Sequence, residues 1–385
     1  MKEVRAVALV DGEHYPDVVR EALAALPYEW VGAILVGGTE KLRGAPDYGV
    51  PLVTGFDGAE LVVDLSDEPV LGPAERLRWA SRALAEGLPY VGADFRFDPP
   101  RLEPFELPSI SVIGTGKRVG KTAVTGHLAR LLARDRSVVV VAMGRGGPTE
   151  PELVIAPPTV AGLVARSRAG DHAASDHLET AATCGVTTVG CRRAGGGLAG
   201  AVFTSNVAAG ATLAAGQGPD VVVFDGSGAA IPPVATDRRI LVVGPGQDAD
   251  AYLNTYRRLI SDLVIAVNCE AAGAVPVTLR LRPSEPLSGR VAVFTAGGTD
   301  VSHLDADVVL VSTSLADRAA LGRELAAVEA DTYLVEVKAA AIDVVAEHAL
   351  ARDRHVVLAS NDVVSTGGEL DAALLELAPA KVGAR

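Results

Sequence analysis

Residues 110–133, ISVIGTGKRVGKTAVTGHLARLLA, place a strand, a glycine-rich loop and a helix in immediate succession. The apolar run that ends in VIG is typical of a buried strand, and KTAVTGHLARLLA carries apolar residues at helical spacing. This order is the context that a phosphate-binding loop requires, because backbone N–H groups and the positive end of the helix can then face the same anion. The stretch therefore predicts a phosphate-binding loop inside an α/β domain.

The spacing of this loop departs by one residue from the pattern G-x-x-x-x-G-K-[ST], because the first glycine of that pattern would fall at Thr115. The sequence fits instead as Gly114, five residues, and then Gly120, Lys121 and Thr122. In this arrangement the Lys121 ammonium would reach the β- and γ-phosphates, and the Thr122 hydroxyl would ligate Mg²⁺. The longer spacing still predicts a nucleotide site.

The alternative is a glycine-rich turn whose lysine faces solvent. It would leave Lys117, Arg118 and Lys121 crowded at a helix N-terminus, where cations are unfavourable without an anion. We therefore expect a nucleotide to contact nine consecutive residues of the loop, the ATP-binding residues if the nucleotide is ATP: Gly114, Thr115, Gly116, Lys117, Arg118, Val119, Gly120, Lys121 and Thr122.

The composition argues against several function classes. The formal net charge is −13 and the pI is about 5.1, which disfavours nucleic acid or an anionic membrane as the main partner. The longest uncharged stretch, 194–219, has few large apolar residues and does not resemble a membrane helix. Three cysteines without paired spacing predict free thiols in a reducing compartment. We expect a soluble, cytoplasmic protein with no nucleic-acid or membrane partner.

Apolar runs alternate with helical patterns along the whole chain, which predicts parallel α/β sheets. We divide the chain into an N-terminal α/β domain (1–100), a linker (101–109), a nucleotide-binding domain (110–285) and a C-terminal α/β region (286–385). Four prolines in FDPPRLEPFELPS indicate the linker. The expected fold class is a Rossmann-like parallel α/β domain, then a P-loop NTPase-type α/β domain with a C-terminal α/β extension. Periodicity does not decide whether that extension is a separate domain or continues the central sheet.

Two further stretches place polar residues at strand ends, where open α/β sheets bind ligands. In DVVVFDGSG, Asp225 follows four apolar residues and is the expected Mg²⁺ partner of Thr122; the alternative is an aspartate that caps the next turn. In GRGGPTE, Arg145 suits phosphate because its guanidinium can donate two hydrogen bonds to one phosphate, and Glu150 could help to hold a cation. The alternative for this second stretch is a surface turn.

Other polar clusters leave two interpretations open. Asp11 and His14 follow the first strand, where either a ligand site or ordinary turn chemistry explains them. Arg192 and Arg193 precede three glycines, and Lys338 follows a strand. An anion site and a solvated surface explain these last three residues equally well.

The order of these motifs resembles that of the cyclic 2,3-diphosphoglycerate synthetase family. The matching pieces are DGEHYP (11–16), GTGKRVGKT (114–122), GRGGPTEPELV (144–154) and FDGSGAAIPPV (224–234). The loop spacing is also similar to that of dethiobiotin synthetase.

The resemblance implies an ATP-dependent ligase that joins the two phosphates of 2,3-diphosphoglycerate into an intramolecular phosphoanhydride, with Mg²⁺ and K⁺ as cofactors. The partners that we expect are this small-molecule substrate and a second copy of the chain in a homodimer. The implied roles are catalytic for Lys121, Lys117 and Asp225, metal-binding for Thr122 and Asp225, and substrate-binding for Arg145, Arg118, Asp11, His14 and Glu150.

Two rival interpretations remain. A dethiobiotin-synthetase-like ligase acting on a carboxylate would have no need of the N-terminal domain. A nucleotide-dependent switch protein of the GTPase kind would carry an Asn-Lys-x-Asp motif, whereas AVNCEA has Asn268 without the lysine or the aspartate.

Overall fold

The computed structural model describes residues 3–42, 44–298, 300–365 and 369–380. The chain divides into two compact units. The first comprises residues 1–101, 197–201 and 248–260, and the second comprises the rest of the chain. None of the helices in the described ranges is long and apolar enough to cross a membrane.

The first unit is built on a sheet that, over its described residues, has five strands in the order β2-β1-β3-β4-β5. The pairs from β2 to β4 are parallel and β5 is antiparallel. This confirms the predicted Rossmann-like parallel sheet. Its elements are β1 (Val4–Val10), α1 (Pro16–Ala25), β2 (Tyr28–Leu35), β3 (Leu61–Asp64), α2 (Pro73–Ala85), β4 (Tyr90–Val91), β5 (Arg96–Phe97) and α7 (Asn254–Leu259).

The second unit is built on a larger sheet of thirteen strands, counted over the described residues. The strands are β6 (Ser109–Gly114), β7 (Val138–Gly144), β8 (Glu152–Val154), β9 (Thr187–Ala194), β10 (Thr204–Ser205), β11 (Val221–Asp225), β12 (Arg238–Val243), β13 (Leu263–Val267), β14 (Val275–Pro283), β15 (Arg290–Phe294), β16 (Asp307–Ser312), β17 (Thr332–Glu336) and β18 (His355–Ser365). The helices are α3 (Lys121–Leu132), α4 (Val160–Arg168), α5 (Asp176–Cys184), α6 (Val207–Ala215), α8 (Arg318–Ala327), α9 (Glu347–Leu350) and α10 (Leu370–Leu377), with a π-helix at Ala341–Ala346.

The strand order shows that the C-terminal region continues the central sheet. The order is β10-β9-β7-β11-β6-β12-β13-β14-β18-β17-β15-β16, with β8 paired to β9. Strand β14 is parallel to β13 and antiparallel to β18, so this one strand joins the two halves of the sheet. This answers the question that periodicity left open, and it confirms the P-loop NTPase-type α/β fold with a C-terminal extension.

The central strand β6 fixes the position of the glycine-rich loop. Every residue of β6 is buried, and the strand lies between its parallel neighbours β11 and β12. Because α3 packs Val124, Leu128 and Leu132 into the core next to this sheet, the loop between β6 and α3 is held at the carboxyl edge of the strands. Open α/β sheets bind ligands at this edge.

The packing of α3 gives a test of the core. Leu128 is fully buried, so Leu128→Ala should lower the free energy of unfolding by about 2–5 kcal/mol through lost burial and the cavity left behind. Urea denaturation measures the change. The control is Leu375→Ala on α10, whose leucine is 46% exposed and which should change stability by less than about 1 kcal/mol. Equal effects of the two substitutions would contradict this packing.

Candidate active site

The loop between β6 and α3 has backbone φ angles that most residue types adopt rarely. Arg118 and Gly120 adopt positive φ angles of 62° and 92°, and Gly120 is the residue that precedes the first turn of α3. A Cβ on Gly114 would lie 2.8 Å from Val119 Cγ2 and 2.9 Å from Lys121 Cδ. The first glycine of the longer spacing is therefore required by the close approach of the lysine side chain, and the conformation of Arg118 is of the strained kind that clusters at functional sites.

Lys121 is held inside this loop. The side chain is buried, and its Nζ donates a hydrogen bond to the Gly116 carbonyl at 3.0 Å. Burial lowers the pKa of Lys121, the charge of Asp225 opposes that shift, and the nearby Arg145 and Arg193 reinforce it. A buried ammonium close to two other cations is stabilised by an anion, which a phosphate group supplies.

Asp225 is the last residue of β11, the strand that pairs with β6 beside the glycine-rich loop. Its side chain is buried, at 2% exposure, and Oδ1 has no hydrogen-bond partner among the described residues. Burial, followed by repulsion from Asp176, raises the pKa of Asp225 to about 7. A buried carboxylate oxygen without a partner is costly, and a hydrated cation would satisfy it. Thr122, in the first turn of α3, lines the adjacent cavity.

No group of three or more His, Cys, Asp or Glu side chains in the described ranges could hold a metal ion by itself. Mg²⁺ takes one or two protein ligands and fills its remaining positions with water and substrate phosphates. Asp225 and Thr122 fit this kind of site, in which the nucleotide completes the coordination.

Arg145, just after β7, and Arg193, in β9, meet over the loop that follows Asp225. A Cβ on Gly228 would lie 2.7 Å from Arg145 Nη2 and 3.6 Å from Arg193 Nη2, so the glycine leaves room for both guanidinium groups. Arg193 Nη2 donates to the Ser227 carbonyl at 2.8 Å. Burial and the charge of Arg145 lower the pKa of Arg193. Arg193 is therefore held beside Arg145 by a backbone carbonyl of the loop that follows Asp225, and a role for it in anion binding stays a prediction.

A cavity of about 870 Å³ opens beside the glycine-rich loop. Its lining from the nucleotide-binding part includes residues 117–123, Arg145 and 226–228. Lys117 and Arg118 are exposed at this surface. The lining does not include residues 114–116, which lie at the start of the loop, or Glu150, which is exposed.

A partly buried ion pair in the lining of the same cavity was not predicted from the sequence. Lys338 Nζ donates to Glu179 Oε2 and lies 3.9 Å from Asp176 Oδ1. Burial raises the pKa of Glu179 to about 7, against the opposing charge of Lys338. The sequence indicated Lys338 at the end of a strand, but not its partners Glu179 and Asp176, which lie in the first turn of α5.

Asp11 and His14 belong to the first unit. Asp11 Oδ1 accepts hydrogen bonds from the backbone N–H groups of Glu13 and His14, at 2.9 and 3.1 Å, and Oδ2 accepts from Asp67 N at 2.7 Å. His14 Nδ1 lies 2.9 Å from Asp11 Oδ1. These hydrogen bonds explain Asp11 as a residue that stabilises a turn. The His14 side chain remains 32% exposed. The role of both residues in binding substrate stays a prediction.

Three family models match the chain in order. They are described as the cyclic 2,3-diphosphoglycerate synthetase N-terminal domain at residues 5–98, its P-loop domain at 109–277 and its C-terminal domain at 300–362.

Curated relatives named cyclic 2,3-diphosphoglycerate synthetase align along nearly the whole chain. The protein of Rubrobacter xylanophilus is 46% identical across 98% of each chain, and that of Thermococcus gammatolerans is 38% identical across 98% of each. The protein of Methanothermus fervidus is 37% identical across 97% of this chain and 96% of the relative. A solved structure of LpxK from Aquifex aeolicus in complex with ATP aligns with a TM-score of 0.42 and 14% identity, over 72% of this chain and 91% of that one. That likeness is too low to support an argument.

Proposed function

Because the chain belongs to the cyclic 2,3-diphosphoglycerate synthetase family, we propose that it is an ATP-dependent ligase that closes 2,3-diphosphoglycerate into its cyclic phosphoanhydride and releases ADP and phosphate. The observation that carries the proposal is a buried lysine, Lys121, in a glycine-rich loop that lines a large cavity. On the neighbouring strand, Asp225 is a buried carboxylate whose Oδ1 has no hydrogen-bond partner among the described residues. ATP binds at this P-loop domain.

The chemistry requires one substrate phosphate to become an electrophile with a leaving group. An oxygen of that phosphate attacks the γ-phosphorus of ATP, the bond to the β–γ bridging oxygen breaks, and ADP leaves. An oxygen of the neighbouring phosphate then attacks the inner phosphorus of the new pyrophosphate and expels inorganic phosphate as the ring closes. The attacking oxygens are already anionic, so neither step needs a general base.

Different residues stabilise different charges in this reaction. Lys121 stabilises the charge that develops on the transferring phosphoryl group. Thr122 and Asp225 would hold Mg²⁺, which neutralises charge on the nucleotide phosphates when it is bound. Because two dianionic phosphates repel at bonding distance, cations must also hold the substrate, and we assign this to Lys117, Arg118 and Arg145.

The first test of the proposal is ADP formation with and without 2,3-diphosphoglycerate, in K⁺ and in Na⁺ buffers. We expect ADP release that depends on the diphosphate and that is faster in K⁺. Release at the same rate with and without the diphosphate would contradict the proposal and favour a nucleotide-dependent switch. The homodimer stays a prediction, which light scattering tests.

Arg145 is expected to act mainly on substrate binding. Its guanidinium lies over Gly228 at the cavity, so Arg145→Ala should raise KM for the diphosphate by about 10-fold or more and change kcat less. Steady-state kinetics measures both constants. Arg323→Ala, on the exposed face of α8, is the matched loss of one arginine and should change neither constant. An unchanged KM in Arg145→Ala would refute the assignment.

A further inference from the structure

The C-terminal half of the large sheet has its own ligand-binding topology. Strands β16, β15, β17 and β18 are adjacent in that order and all parallel. From β15 the chain moves to β16 on one side, and then to β17 on the other side of β15. In open α/β sheets such a reversal leaves a crevice at the carboxyl ends of the two strands, and ligands bind there.

Polar groups tie the walls of this crevice together. The residues Thr295–Gly298 follow β15, and the last residue of β17 is Glu336. The Glu336 carboxylate accepts hydrogen bonds from Ala296 N at 2.8 Å and from Asn361 Nδ2 at 3.0 Å. One buried carboxylate therefore fixes the loop after β15 against both β17 and β18.

The crevice opens into the same cavity as the phosphate-binding loop. Residues 295–298, Glu336, Lys338 and Asn361 line the cavity together with residues 117–123. A ligand in the crevice would therefore share one space with the terminal phosphate of a nucleotide bound at the loop. Two reactants held in one cavity can be brought to reacting distance.

The crevice also holds a partly exposed cation, Lys338, which is paired with the carboxylates of Glu179 and Asp176. Glu179 is buried, with 6% of its side chain exposed, whereas 29% of the Lys338 side chain is exposed. The Glu179 carboxylate thus anchors Lys338, and part of the Lys338 side chain stays exposed at the cavity. Gly297 and Gly298 line the crevice with backbone alone. A Cβ at either position would meet no atom within 4 Å.

We propose that the crevice formed by residues 295–298, Lys338 and Asn361 binds the phosphorylated acid substrate through one of its anionic groups, opposite the nucleotide. The proposal rests on the proposed function and adds to it the place of the second substrate. It assigns the C-terminal extension a direct part in the site: the P-loop domain supplies the phosphoryl donor, and the extension supplies the acceptor subsite.

The test uses Gly297→Asp and Gly298→Asp. Since both positions open into free space, the substitutions leave the packing unchanged and add a negative charge at the crevice. The matched control is Gly322→Asp on α8, where a Cβ also meets no atom within 4 Å and the residue is exposed. Calorimetry measures the binding of 2,3-diphosphoglycerate, and separately of the ATP analogue AMP-PNP with Mg²⁺, to the full chain.

We expect Gly297→Asp and Gly298→Asp to weaken binding of the diphosphate by about 10-fold or more, with AMP-PNP binding changed less than about 3-fold and Gly322→Asp like wild type. Unchanged diphosphate binding in both crevice variants would overturn the proposal, as would an equal loss of AMP-PNP binding or no diphosphate binding by wild type. Wild-type binding of the diphosphate without anhydride formation would contradict the proposed function alone.

Discussion

Lys121→Ala is expected to lower kcat by about 10³-fold or more, because it removes the buried cation at the position of the transferring phosphoryl group. The fold should survive. Burial lowers the pKa of Lys121, so the charged side chain does not favour the folded state in the absence of an anion. ADP formation and thermal unfolding of the same preparation measure the two effects.

The control for this prediction is Arg134→Ala, which removes an exposed cation just beyond the C-terminal end of α3 and should leave kcat unchanged. If Lys121→Ala retained wild-type turnover, the loop would not be the catalytic nucleotide site. If it lost activity only together with its folded structure, the catalytic role of Lys121 would be contradicted in favour of a structural one.

Asp225→Asn is expected to reduce activity by about 100-fold and to raise the Mg²⁺ concentration needed for half-maximal rate. The amide keeps the shape of the side chain but loses the charge that a cation requires. Kinetics at a series of Mg²⁺ concentrations measures the change. The control is Asp305→Asn, at an exposed position, which should behave as wild type; a similar Mg²⁺ dependence of Asp225→Asn and wild type would exclude Asp225 as a ligand.

Stability should change in the opposite direction to activity in this variant. The folded-state pKa of Asp225 is raised from 3.8 to about 7, so folding becomes less favourable as pH rises through that window and the carboxylate is forced to ionise. Asn has no such cost. Without Mg²⁺, the Tm of Asp225→Asn should therefore exceed that of wild type at pH 8, and the difference should shrink toward pH 4.

The sequence predicted the parts of the site that lie in one short segment. GTGKRVGKT has its strand and helix on either side, and Asp225 follows a run of buried residues, so local pattern alone placed both at one sheet edge. The parallel α/β class was predicted from the alternation of apolar runs with helical patterns. The roles of the loop residues and of Asp225 in the site stay predictions, which the substitutions above test.

Contacts between distant segments could not be predicted in this way. Lys338 meets Glu179 across 159 positions, and periodicity reports which residues are apolar but not which strands pair. The continuity of the sheet depends on β14, which is parallel to one neighbour and antiparallel to the other. The surroundings of Arg193 could not be predicted because its neighbours, Arg145 and Ser227, lie in loops that follow other strands.

The central claim is that the chain closes a phosphoanhydride ring at the expense of ATP. The most direct test is ³¹P NMR of the full chain with ATP, Mg²⁺, K⁺ and 2,3-diphosphoglycerate. We predict that the two phosphomonoester signals of the substrate give way to anhydride signals as ADP and inorganic phosphate accumulate. ATP that stays intact, or that is hydrolysed while both phosphomonoester signals persist, would contradict the account.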